Sequence, residues 1–263
     1  MSDIMQIEIF LNKSVDENAG IYFNLAKKAK KKLKGAKEAL EKTEQDLQKL
    51  KKQEDKFRVE EEKKRVRVER KREWYEKFHW FISSEGFLCI GGRDATSNEI
   101  VVKKHMDKED LVLHTDMAGS PFFVIKNGSE ATEETIKEAA QAVAVYSKAW
   151  KLGHGTADVF YVKPEQVTKE AKAGEALAKG SFMVYGETKY IHPRLEYCLG
   201  LIDGQIIGGP LEAVKSRTKN YVMVISGGEK KSALAKKVKS KLKGGDLDEI
   251  IKFLPAGGGM IKK

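Results

Sequence analysis

His114 and Asp116 stand two residues apart in the run DLVLHTD. On an extended strand that spacing puts both side chains on one face, where an imidazole and a carboxylate can act as an acid–base dyad or as two metal ligands. No second ligand set accompanies them. The two cysteines, Cys89 and Cys198, lie far apart, each inside an apolar run with no histidine at ligand spacing. The pair therefore reads as polar groups at a strand edge, hydrogen-bonded to a neighbouring loop. A hydrolase built on His114 and Asp116 is the enzymatic alternative. No metal or other cofactor is expected.

A second candidate is the run YVMVIS followed by GGEKKS, over residues 221–232. It is arranged like a phosphate loop but lacks the G-x-x-x-x-G-K-[ST] spacing, so nucleotide hydrolysis is rejected. What survives is a helix N-terminus with free amides, together with Lys230 and Lys231, as a seat for a backbone phosphate. Gly91-Gly92 lacks the third glycine of a dinucleotide fingerprint. Elsewhere, basic residues are interleaved with aromatics and glycines. Arg93, Lys103, Lys104, Lys126, Lys151 and Lys169 can neutralise phosphates, while His114 and Trp150 can meet unpaired bases. Gly91, Gly92 and Gly119 would let a ligand approach the backbone closely. Core packing is the rival reading for Trp150, and a buried pair with Asp94 the rival for Arg93.

The elements that must position these residues follow from pattern. IMQIEIFL (4–11) reads as a short strand, and Ser14-Val15-Asp16-Glu17 as a capping box. No proline occurs from there to Glu85. Ala26, Leu33, Leu40 and Leu47 form one heptad column, and Tyr22, Ala29, Ala36, Leu50 and Phe57 the other, which is a coiled-coil seam. So polar a helix needs a partner for its stripe. An antiparallel hairpin turning near 53–58, with Val59, Val66 and Trp74 on the return, is the most economical arrangement. An unbroken helix pairing with another molecule is the alternative.

From Trp74 onward, aromatics and apolar runs announce a globular part. Strands are expected at FLCIGG (87–92), EIVVKK (99–104), DLVLHT (110–115), FFVIKN (122–127), DVFYVKP (158–164) and GSFMVYG (180–186). A capped amphipathic helix spans Thr132 to Leu152, and a polar helical stretch follows Pro164. Beyond Pro193 come strands near Leu199–Ile207 and at 221–226, a lysine-loaded helix over about 230–243, the short helix LDEIIKFL and a glycine-rich basic tail. The expected fold is α+β: long N-terminal coiled-coil helices (1–78), a mixed α+β domain (79–192) and a small basic α/β C-terminal region (193–263).

Composition narrows the partners. Across 263 residues the net charge is +10, and a third of the residues are charged. Residues 27–37 carry seven lysines and no acid; residues 63–72 carry seven basic residues against Glu69. Segregated charge of this kind favours a polyanion, with nucleic acid ahead of a membrane surface. No apolar stretch approaches the length of a membrane span, and the N-terminus lacks the order of a secretory signal. Buried, reduced cysteines in the cytoplasm are expected.

Long stretches of this sequence also resemble one family. W-Y-E-K-F-x-W-F-I-S-S-E-G-F-L-x-I-G-G-R-D-A-x-x-N-E (74–99) is similar to the opening signature of the NFACT RNA-binding domain. The likeness continues through H-T-D-M-A-G-S (114–120), V-I-K-N (124–127), Y-S-K-A-W (146–150), Y-V-K-P-E-Q-V-x-K (161–169) and G-S-F-M-V-Y-G (180–186). E-N-A-x-x-Y-F (17–23) resembles the start of that family's coiled coil, and I-G-G-P-x-x-A-V-K (207–215) resembles its archaeal members. The resemblance to these NEMF-type factors implies a non-enzymatic role in ribosome-associated quality control. Its partners would be tRNA and the rRNA of obstructed large ribosomal subunits. It also implies a hairpin coiled coil and, in most members, a large N-terminal domain. This sequence begins just before the coiled coil, so a separate polypeptide supplying that domain, or a stand-alone RNA-binding half, is expected. A coiled-coil protein-interaction adaptor with incidental RNA binding is the other non-enzymatic alternative.

Overall fold

The computed structural model describes residues 7–68, 72–170 and 177–262. The chain divides into two units, Met1–Arg72 and Glu73–Lys263.

The first unit is dominated by one helix, α1 (Val15–Val68), of 54 residues and roughly 80 Å. The capping box forms as its sequence dictates. Ser14 N–H donates to Glu17 Oε2 at 2.7 Å, and Glu17 N–H donates to Ser14 Oγ at 3.2 Å. The hairpin does not form: α1 runs unbroken through 53–58. The run Gln-Glu-Asp-Lys-Phe-Arg there contains no proline or glycine to stop a helix. Leu33, Leu40, Leu47 and Leu50 are left more than half exposed on this helix.

Of the expected N-terminal strand, residues 4–6 lie outside the described residues, and 7–10 pair with no strand. Instead they lie along α1, held by two side chains one turn apart. Tyr22 Oη accepts from Glu8 N–H and donates to Glu8 O; Asn18 exchanges hydrogen bonds with the backbone of Phe10.

In the second unit, strands alternate between two faces and so bury two layers. β1 (His79–Ile82), β2 (Leu88–Gly91), β3 (Leu111–Thr115), β4 (Phe123–Ile125), β5 (Val159–Val162) and β8 (Lys189–Ile191) form an antiparallel sheet in the order β1-β2-β4-β3-β5-β8. Two short strands, β6 (Val167–Thr168) and β7 (Met183–Val184), pair beside it. Cys89, Leu113, Phe123, Ile125 and Val159 point to one face, against helix α3 (Glu133–Tyr146) and the short α4 (Lys148–Leu152). Ile90 and Val124 point to the other, where helix α2 (Ala95–Lys104) lies.

A second antiparallel sheet covers the far side of α3. β9 (Glu196–Ile202), β10 (Gln205–Gly209), β11 (Tyr221–Glu229) and β12 (Gly259–Ile261) take the order β10-β9-β11-β12, with helices α5 (Leu211–Lys215), α6 (Lys231–Leu242) and α7 (Leu247–Phe253). One buried cluster runs from Phe81 to Leu254, so the core is continuous across residue 193. Cys89 and Cys198 are buried, free thiols.

Three expectations need correction. EIVVKK is helical rather than a strand, because Asp94 accepts from Ser97 N–H at 2.7 Å and caps a helix whose buried residues, Asn98, Val101 and Val102, repeat at i, i+3, i+4. The helix expected over 132–152 breaks at Ser147. Its extended backbone ends α3 while its hydroxyl caps α4 through Ala149 N–H at 3.1 Å. The glycine-rich tail, given no element from the sequence, supplies β12. Of the polar helical stretch after Pro164, the start is a 3-10 turn leading into β6, and residues 171–176 lie outside the described residues.

Candidate nucleic-acid interface

A cavity of about 430 Å3 opens beside the first sheet, between the turn that follows β2, the loop joining β3 to β4, and residues 179–184. Its construction explains several glycines. A Cβ on Gly92 would lie 2.0 Å from Asn98 Oδ1, so only glycine lets the turn close onto α2. Asn98 then ties α2 to the β3–β4 loop: its Oδ1 accepts from Phe122 N–H at 3.1 Å and its Nδ2 donates to Ser120 O at 3.3 Å. Gly119 takes φ +81° in that loop, and the Thr115 and Ser120 hydroxyls, 2.7 Å apart, brace it. Gly91 serves packing, since a Cβ there would strike the Phe123 ring. It is withdrawn as a point of ligand approach.

His114 and Asp116 both line the cavity, yet each is engaged elsewhere. The His114 ring stacks on Phe122 with centroids 3.9 Å apart, and its Nε2–H donates to Ser120 O at 3.2 Å. Burial pushes its pKa below the ordinary imidazole value despite hydrogen bonding with the backbone of Ser120 and Thr115. It is therefore neutral at pH 7. Asp116 Oδ2 accepts from Tyr190 Oη at 3.1 Å. His79, which sequence reading did not single out, also lines the cavity. It stacks on Tyr146 at 3.7 Å, and its Nδ1 is buried without a hydrogen-bond partner. Burial, then the charges of Arg93 and Lys231, hold its pKa well down. Among the described residues, no group of three or more His, Cys, Asp or Glu side chains could hold a metal ion.

The basic residues fall into distinct environments. Arg93 reaches into the cavity wall but does not pair with Asp94. Its guanidinium donates to Phe78 O at 3.0 Å and Lys252 O at 3.2 Å. Lys103 and Lys169 both donate to Glu99 Oε1 at 2.7 Å, with Lys169 over the Phe182 ring. Lys126 is occupied by Asp107, Asp110 and the His105 carbonyl, which removes it as a phosphate contact. Trp150 is buried and donates through Nε1 to Gly258 O at 2.8 Å, so no base can stack on it. Lys231, at the start of α6, is partly buried, and burial followed by the Arg93 charge lowers its pKa. Lys104, Lys151 and Lys230 are exposed. Lys179 was missed, although its place before Gly180-Ser181 marks a turn; it lines the cavity.

The Glu99 bridge gives a pH-dependent expectation. Hydrogen bonds from Lys103 and then Lys169 hold its carboxyl down at about 2. A depressed folded value means the bridge stabilises above pH ~4.5 and loses that contribution as pH falls toward 2. Glu99→Gln should therefore lower the unfolding midpoint at pH 7, and the gap from wild type should close by pH 2. A gap that stays constant across that range would refute the assignment.

Residues 77–186, the stretch that holds every residue lining this cavity, match the family model described as NFACT protein RNA binding domain. This segment is an NFACT RNA-binding domain. The chain is 41% identical over 199 residues to the archaeal Rqc2 homolog aRqcH of Methanocaldococcus jannaschii, covering 73% of this chain and 30% of that protein. It is 42% identical over 130 residues to the ribosome quality control complex subunit NEMF homolog of Drosophila melanogaster, covering 49% of this chain and 13% of that one. Over 122 residues it is 43% identical to human ribosome quality control complex subunit NEMF, covering 46% and 11% respectively. The chain thus spans less than a third of the length of these relatives. No helix among the described residues is long and apolar enough to cross a membrane.

Proposed function

We propose that this chain is an RNA-binding component of ribosome-associated quality control that binds tRNA and rRNA on obstructed large ribosomal subunits in the cytoplasm. The observation that carries the reading is the 41% identity over 199 residues with an archaeal Rqc2 homolog, a span longer than the NFACT RNA-binding domain itself. The charge distribution supports it. The stretch of α1 over 27–37 is exposed and basic, and α6 carries Lys236, Lys239 and, just past its end, Lys243 at i, i+3, i+7, all exposed. No carboxylate pairs with those three among the described residues. Lys104, Lys151 and Lys230 extend the set of phosphate contacts, and Arg93 joins it through its remaining N–H groups.

A role as a protein-interaction adaptor draws on a specific observation too, the exposed leucine column of α1. A partner chain completing the factor would be its natural occupant. The hydrolase alternative is disfavoured because His114 and Asp116 donate and accept elsewhere instead of pairing with each other.

The deciding experiment is co-sedimentation of the full chain with large ribosomal subunits across a salt series, comparing empty and peptidyl-tRNA-bound particles. Preferential binding to the obstructed particles is expected. Its log affinity should fall linearly with log salt, at roughly 0.7–0.9 per neutralised phosphate. Absence of binding to either particle at low salt overturns the proposal, and salt-insensitive binding transfers support to the adaptor.

A further inference from the structure

We infer that the cavity enclosed by the NFACT RNA-binding domain is a nucleotide pocket, which takes one unpaired nucleoside phosphate swung out of an RNA strand. This rests on the RNA-binding reading but adds a site and a ligand class to it. The volume of about 430 Å3 falls in the ~300–1,000 Å3 range of small-ligand pockets. Its apolar wall is the half-buried ring of Phe182, backed by the buried rings of Phe122 and Phe160, and it can take one edge or face of a planar base.

The polar groups select among ligands. His79 Nδ1 is sealed within the wall, so the selecting groups are the exposed ones. Asp94 and Asp116 also line the cavity. Two carboxylates disfavour a bare phosphate or a carboxylic acid, but they accept from the exocyclic amino groups of a base or from a ribose hydroxyl. Arg93 uses two of its N–H donors on backbone carbonyls and keeps others for a phosphate. Lys179 adds a second cation, with no carboxylate ion pair among the described residues. Planar rings, acceptors and two cations together match a base, a sugar and a phosphate. Gly180 holds the 179–184 segment in place: at φ +77° it passes so near α2 that a Cβ would lie 2.5 Å from Ala95 O.

The same chemistry could arrive as a free nucleotide, and the test separates the two. Binding of the full chain would be measured to a blunt RNA duplex and to the same duplex carrying an unpaired nucleotide overhang. AMP, GMP, CMP and UMP would be titrated separately, with amide shifts at His114 and Ser181 as the readout. Ser181→Trp would block the mouth from an exposed position, and Lys179→Glu would reverse one cation without adding bulk.

The expected result is overhang RNA bound about tenfold more tightly than blunt duplex. Ser181→Trp should erase that preference while leaving blunt-duplex affinity and thermal unfolding unchanged. Lys179→Glu should erase it as well, with a smaller, salt-dependent loss of affinity shared by both RNAs. Equal affinity for the two RNAs, with no shifts from any mononucleotide, would overturn the pocket while the RNA-binding reading stood. Failure to bind either RNA, with mononucleotide shifts retained and lost in both variants, would sink the RNA-binding reading and assign the cavity to free nucleotide.

Discussion

Replacing Trp150 with alanine is expected to destabilise the unit Glu73–Lys263 by about 3–5 kcal/mol, the range for a large aromatic removed from a packed core. Domains of this kind are stable by only about 5–15 kcal/mol, so the loss would take a large share of the total. Trp150 is among the largest fully buried side chains of the described residues. Its indole N–H is also the link between α4 and Gly258, at the edge of the tail strand β12. Trp150→Phe keeps much of the volume and loses the hydrogen bond, at a cost nearer 1–2 kcal/mol. Urea unfolding followed by far-ultraviolet circular dichroism measures both. The same pair of variants separates packing from base stacking. If Trp150 met an RNA base, Trp150→Ala would cost RNA affinity about 1–3 kcal/mol with stability intact. The fold predicts the reverse, and stability unchanged in Trp150→Ala would refute the core role.

The second large effect is at Lys126. Asp110 is buried, and Lys126 is its counter-charge, with Asp107 and the His105 carbonyl completing the ammonium's contacts. Removing one partner of a buried ion pair strands the other charge, which typically costs ~3–5 kcal/mol. The Lys126 side chain is 20% exposed, so about 2–4 kcal/mol is expected for Lys126→Met. Adding Asp110→Asn should restore part of that loss, because it removes the stranded charge. Burial alone would lower the Lys126 pKa, but hydrogen bonds and charge from Asp107 and Asp110 outweigh it and raise the net value. A raised folded value means that this stabilisation is lost as pH climbs from ~10.5 through the folded pKa. In acid it fades as the Asp107 carboxyl, held below its ordinary value by Lys126, takes up its proton. RNA affinity of Lys126→Met, measured where the variant is still folded, should match wild type. A selective loss of affinity would restore Lys126 to the interface.

These two residues show where sequence reading ran short. Trp150 and Lys126 have the types that contact RNA, and nothing local distinguishes a tryptophan under a base from one under a tail strand. What decides it for Trp150 is a partner 108 residues away, and for Lys126 a pair of carboxylates 16 and 19 residues away. EIVVKK illustrates a different gap. Its β-branched run favours a strand, but Asp94 and Ser97 offered the cap that starts a helix, and that signal lay in the sequence to be read. The hairpin was an inference from an unpartnered stripe; the residues at 53–58 carry no helix breaker, so the local preference prevailed.

The sequence by itself determined the elements whose signals are local. The Ser14–Glu17 box starts α1, the Thr132 hydroxyl caps α3, and short apolar runs bounded by turn residues set β2 to β5. It also determined the family, because the residues of the NFACT signature are contiguous in the chain. Tertiary structure alone decided which charged and aromatic groups are free. It spent Lys126 and Trp150 on the fold and made Gly91 a packing position. It also brought His79, Arg93, Asp116 and Lys179, spread over about a hundred residues, to one cavity. The physical reason is range. Caps and periodicity act within a turn or two of backbone, whereas the availability of a side chain depends on what the folded chain sets against it.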